Sequence, residues 1–267
     1  MPPPIDPFLY FAGTWIDLND SLRDRLFQTL EPDAATQRSA WESLFEENNR
    51  LILALALDLV IQEQATSRMG DRITLQRDYM RKAAIALLQI DGIDGQNHWN
   101  GQPIPDASHI VALRILSKVA TPEDGLLVAS IRPDHTMTTD WESAWVAAAA
   151  AVLRETPSGQ SSPLIEQLLW LSRNSNLAER VRRELVLAIG ASQDVSAECA
   201  LHEIYRTTNG SDRIEAIAQL AIRNALNENE LEFIQTILEG DILSGVILER
   251  KSILLAALAS WERERGF

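Results

Sequence analysis

Six residues of this chain carry side chains suited to holding a partner, in settings that could leave them free to do so. Four of them, Asp94, Asn97, His98 and Trp99, fall in one irregular stretch, and Arg182 and Arg183 lie in a second region. A tryptophan in a polar segment is the type of side chain that anchors protein interfaces, and the neighbouring carboxylate, amide and imidazole supply directional contacts around it. Paired arginines fit a carboxylate or a phosphate by charge-assisted hydrogen bonds, and Arg180 extends that cluster. Arg77, Arg81 and Lys82 form a second short basic run.

Catalytic or metal chemistry needs more than these types. The four histidines are His98, His109, His135 and His202, and none sits in an HExxH spacing or beside a repeated CxxC. Asp91-Gly92-Ile93-Asp94-Gly95-Gln96-Asn97 is rich in oxygen but lacks the spacing and the distant bidentate Glu of a calcium loop. No GK[ST] follows its glycines, so it is not a phosphate loop either. Glu228, Glu230 and Glu232 surround a helix start, where negative charge meets the positive end of the helix dipole. Spacing alone assigns no acid/base pair, so no catalytic residue, metal or cofactor is expected.

The elements that position these residues read as helices. Asn19 or Asp20 can cap a helix through Leu22, Leu26 and Leu30, and Pro32 closes it. A second helix from Asp33 presents Ala40, Trp41, Leu44 and Phe45, and a third, 49–64, is apolar around most of its circumference. Residues 91–105 hold three glycines and two prolines, which exclude an uninterrupted helix and predict a long loop. Long loops are used for recognition more than compact repeats require, which places Trp99 at a natural contact point. Helical order resumes near Ser108, and Pro122 after Thr121 opens another segment at its first turn.

The 24 basic and 38 acidic side chains give a net charge of -14, which opposes a nucleic-acid backbone and suits a basic partner. Cys199, the single cysteine, cannot form an intrachain disulfide and is expected to be a buried small hydrophobe. No span predicts a membrane crossing, and the N-terminus lacks a signal-peptide pattern, so a cytoplasmic protein is expected.

One helical phrase recurs in the second half. Val181 to Ile189 and Ile214 to Ile222 stand 33 residues apart, with related phrases at Ala144 to Leu153 and Ile253 to Trp261. A period of this size marks stacked helix pairs. Leu164-Ile165-Glu166-Gln167-Leu168-Leu169 followed by Glu179-Arg180-Val181-Arg182-Arg183, and Asp212-Arg213-Ile214 in the next unit, resemble the HEAT-repeat family of armadillo-like α-solenoids. The likeness covers 141–261 and is weaker over 20–120. It implies an all-α, right-handed α-α superhelix of helix pairs, with 1–19 as an N-terminal cap or irregular arm and 20–267 as a single solenoid interrupted at 91–105.

The same resemblance implies a non-enzymatic scaffold or adaptor that holds a protein partner on its surface. It also gives Arg182 and Arg183 a second role, bridging adjacent repeats. Fold-level likeness leaves two alternatives, a bilin lyase or isomerase and a DNA-binding helical repeat.

Overall fold

The structure, a computed structural model, describes residues 18–47, 49–66, 73–89, 98–99, 102–103, 107–131, 139–173, 176–240 and 245–264. Most of the expected N-terminal arm, with Asp94 and Asn97, lies outside them. The fold is all-α. Packing divides the chain into two compact units, Met1–Ala120 with Asp134–Ala148, and Thr121–Pro133 with Ala149–Phe267.

The first unit holds α1 (Asp20–Gln28), α2 (Ala34–Glu46), α3 (Arg50–Thr66), α4 (Ile73–Leu88) and α5 (Ala107–Val119). Caps set the first two starts: the Leu22 amide donates to Asn19 Oδ1 at 2.8 Å, and the Thr36 amide to Asp33 Oδ2 at 2.8 Å. Ile52 to Val60 are buried without a break, as the near-continuous apolar run requires, and α3 packs on α4 and α5. Asp58 is the polar exception within that run, and its Oδ2 accepts from Gln62 Nε2 one turn on at 2.8 Å. Arg77 of the second basic run is structural as well. Its guanidinium donates to the Val119 and Ala120 carbonyls, which α5 leaves without helical partners.

Within the stretch read as a long loop, His98–Trp99 pair antiparallel with Gln102–Pro103. The intervening sequence is Asn100-Gly101, the dipeptide that two-residue hairpins favour. That signal was present but concealed by the surrounding turn residues.

The helix α7 (Thr139–Glu155) passes from the first unit to the second along its length. Trp141 and Trp145 are fully buried on it, as their helical spacing suggests. The second unit then contains a 3-10 turn, Pro122–Asp124, followed by α6 (Gly125–Ser130). After α7 come α8 (Ser162–Ser172), α9 (Glu179–Gly190), α10 (Val195–Thr207), α11 (Ser211–Ile222), α12 (Glu228–Glu239) and α13 (Gly245–Glu264).

Helices two apart in this unit pack on one another. In one row α6 meets α8 and α8 meets α10; in the other α9 meets α11 and α11 meets α13. The first row reaches α12 through the Tyr205–Phe233 edge contact at 5.8 Å. α11 is buried around most of its surface, from Asp212 to Leu220 apart from half-buried Arg213. Ala216 and Ala218 let its neighbours approach.

Cys199 departs from expectation. The α10 apolar face is Ala197, Ala200, Leu201, Ile204 and Tyr205, and at 100° per residue Cys199 turns away from it, so the thiol is exposed. Among the described residues no helix is long and apolar enough to cross a membrane.

One carboxylate both caps a helix and ties down a loop. Asp194 accepts from the Ser196 amide at 2.9 Å and hydroxyl at 2.8 Å, and across to the preceding turn from the Gly159 amide at 2.7 Å. The Ser196 amide, then its hydroxyl, hold the carboxyl below its ordinary value of 3.8. A depressed folded pKa means that this stabilisation is complete above the unfolded pKa and is lost as pH falls through the folded one. Asp194→Asn, which turns charge-assisted bonds into neutral ones, should lower stability by about 1 kcal/mol at neutral pH. Urea midpoints of the two proteins should converge as pH falls below about 4, whereas a constant offset would assign the effect to shape alone.

Candidate functional site

The arginines singled out by sequence stand on the side of α9 that meets α11. Arg182 Nε donates to Asp212 Oδ2 at 2.8 Å, and its Nη1 to the Leu177 carbonyl at 2.6 Å. Arg183 Nε donates to Glu215 Oε2 at 3.2 Å, and its Nη2 bonds Glu249. Both arginines are therefore engaged within the protein, each about 28% exposed, in the bridging role that the repeat pattern suggested for them. Arg180, one turn back, pairs on the surface with Glu184 at 2.8 Å.

The centre of this network is Glu215, whose side chain is wholly buried. Its Oε2 also receives Arg250 Nε at 3.1 Å, and its Oε1 receives Gln219 Nε2 at 3.1 Å. Three helices thus converge on one carboxylate: α9 through Arg183, α13 through Arg250 and α11 itself. The bond to Glu249 does most to hold the Arg183 guanidinium above its ordinary pKa, while Arg183 holds the Glu249 carboxyl below its own. Both partners of that outer pair stay charged.

Gly190 belongs to the same assembly. It ends α9, as a glycine stop should, but the turn is right-handed and the next residue, Ala191, is also αR. The reason for glycine is space. A Cβ at Gly190 would lie 2.3 Å from Gln219 Oε1 and 2.7 Å from its Cγ, so a side chain here expels the residue that supports Glu215. The sequence reading missed Asp212, Glu215, Gln219 and Arg250. A signal existed in Glu215 and Gln219, two polar residues one turn apart in an otherwise apolar, small-residue helix.

His202 lies 2.6 Å from Glu230 through Nδ1, and Glu230 is the buried N3 residue of a capping box with Asn227. Glu228 and Glu230 accordingly occupy the first turn of α12, as their position relative to the helix dipole predicted. The structure gives His98 and Trp99 a strand backbone. Among the described residues no group of three or more His, Cys, Asp or Glu could hold a metal ion.

Two clefts open in the second unit. One, of about 410 Å³, is lined by Leu126, Val152, Leu153 and Leu164, with the buried Ser161 hydroxyl at its wall finding no partner among the described residues. The other, of about 610 Å³, lies where the α11 N-terminus meets α12 and the start of α13. It carries Arg213, Ser211, Phe233 and Ile247.

The Gly190 contact is tested by non-additivity. Gly190→Ala should cost about 1 to 3 kcal/mol by overpacking, and most of that cost should vanish in a Gln219→Ala background. Glu215→Ala, which leaves two arginines facing an empty site, should cost about 3 to 5 kcal/mol. Urea midpoints measured at constant m-value read all three, and strictly additive Gly190 and Gln219 effects would remove the proposed contact from the network.

No protein-family model, no curated protein and no solved structure matches this chain, so the reading of the site rests on its own geometry.

Proposed function

We propose that this protein is a HEAT-like α-solenoid that serves as a non-enzymatic scaffold, holding a protein partner on the surface of its helix rows. The observation that carries this reading is the regular contact of helices two apart, α8 with α10 and α9 with α11 and α13. Stacking of that kind spends the apolar interior on neighbouring pairs and leaves long outer faces for recognition. A right-handed superhelix is the form such pairs adopt in the family the sequence resembles.

Two surface features fit the same role. α13 ends the second row with Leu248 57% and Leu255 47% exposed, seven residues apart and so on one helical face. The other exposed side chains of α13 include Glu249, Lys251, Ser252 and Glu262, so the two leucines stand as apolar points on a largely polar face. Trp99, in the strand His98–Trp99, is the other contact point that we propose from the sequence. Net negative charge favours a partner with a basic surface. Arg182 and Arg183, which a nucleic-acid reading would need, are already paired. Among the described residues nothing specifically favours a tetrapyrrole.

Native co-purification with mass spectrometry should return one reproducible partner, and the purified pair should reassociate. Trp99→Ala, or Leu248→Glu with Leu255→Glu, should weaken that association by about 2 kcal/mol or more if either surface is an anchor. Full affinity in both variants would exclude these surfaces, and failure of any partner to reassociate would exclude the scaffold reading.

A further inference from the structure

The geometry points to a second kind of binding in the 610 Å³ cleft at the start of α11: capture of a carboxylate carried on an apolar stem, with Arg213 as the counter-charge. The guanidinium carbon of Arg213 lies 4.4 Å from the centre of the Tyr205 ring and 4.3 Å from that of Phe233. The rings hold the cation by its face and exclude water from it, but they supply no hydrogen-bond acceptor in its plane. Its Nε is buried and has no acceptor among the described residues. Surrounding arginines differ: Arg182, Arg183, Arg223 and Arg250 each bond a carboxylate.

In a chain with 38 acidic side chains, an arginine that bonds none of them among the described residues is not explained by shortage. The two carboxylates on the cleft wall are otherwise engaged, Glu179 accepting from the Ser211 hydroxyl at 2.9 Å and Glu249 from Arg183. A planar guanidinium fixed by two rings loses little rotamer freedom on binding, and a carboxylate matches its fork. The remaining walls choose the stem. Ile214, Phe233, Val246 and Ile247 are apolar, and the volume suits a short aliphatic chain. Gly210, at φ 66°, precedes α11 without a side-chain cap, so the amides of the first turn add donors to those of Arg213.

A free short-chain acid and the C-terminus of a peptide ending in leucine both present this chemistry. The proposal concerns the ligand class and holds whether or not the scaffold reading does.

The buried Nε–H of Arg213 is its own reporter, since a proton shielded from water exchanges slowly enough to observe by 1H–15N NMR. The full chain would be titrated with hexanoate and with an N-acetylated peptide ending in Leu, each beside its amide. The expected result is a saturable shift of the Arg213 Nε–H signal and of the Ser211 to Ile214 amides by the acid and not by the amide. The acid that acts identifies the source. Calorimetry on Arg213→Gln should show binding weakened by about tenfold or more, with Arg213→Lys between. An amide that matches its acid, or no saturable shift with either probe, overturns the proposal, and the wild-type comparison decides this even if a variant fails to fold.

Discussion

A carboxylate out of contact with water is unstable unless its charge is met in place, and Glu215 is met from three directions. Arg183 and Arg250 approach the same oxygen from helices that flank α11 on either side, while Gln219 supplies the other oxygen from one turn along. Hydrophobic contact alone would allow α9, α11 and α13 to slide against one another, because leucine and alanine surfaces pack acceptably in several registers. Three directional bonds to a buried point do not. The register of the second row follows from that point, and Gly190 is the space that allows the support to fit.

The same logic operates at the edges of the rows, where a charged side chain meets backbone groups. Asp194 caps its own helix and collects the Gly159 and Ser161 amides of the turn one unit earlier. Arg223 returns from the end of α11 to the Ser192 and Asp194 carbonyls and to Glu198 at 3.3 Å. Each bond spans 25 to 35 residues of sequence, so a locally encoded cap is converted into contact between helices distant in the chain.

Helix positions were legible because their causes are local. Asn19, Asp33 and Pro122 announce starts in the sequence, and the apolar spacing of α2, with Ala40, Trp41 and Leu44, fixes which face is buried. What escaped reading depends on the neighbours. The pairing of Glu215 with Gln219 in an apolar helix hints at a buried polar pair, but the arginines that meet Glu215 come from α9 and α13 and no local pattern names them. A glycine at the end of a helix suggests a conformational reason, whereas the structural reason for Gly190 is a side chain 29 residues away. Cys199 was misjudged because its immediate neighbours are helix formers of low polarity, although the helical angle from Ala197 and Leu201 already places it outside. The site residues divide in the same way. Arg182 and Arg183 were visible as charge, but their engagement could be seen only with Asp212 and Glu215 in place.

Charge is thereby sorted within the second unit. Arginines with carboxylates across a helix seam set its register, so their removal is a stability effect even though they resemble a surface patch in the sequence. An arginine held by aromatic rings has a different status, since its position is fixed without its charge being neutralised. Arg213 is placed by Tyr205 and Phe233, the residues that also join α10 to α12, so the packing that completes the first row keeps a cation poised at a cleft. Had Glu179 or Glu249 closed on it, the array would have gained one more weak surface pair, of about 1 kcal/mol or less. Their engagement elsewhere leaves Arg213 without a bonded carboxylate among the described residues, beside the apolar side chains of Ile214, Val246 and Ile247. That combination adds little to the fold and is well suited to selecting a ligand.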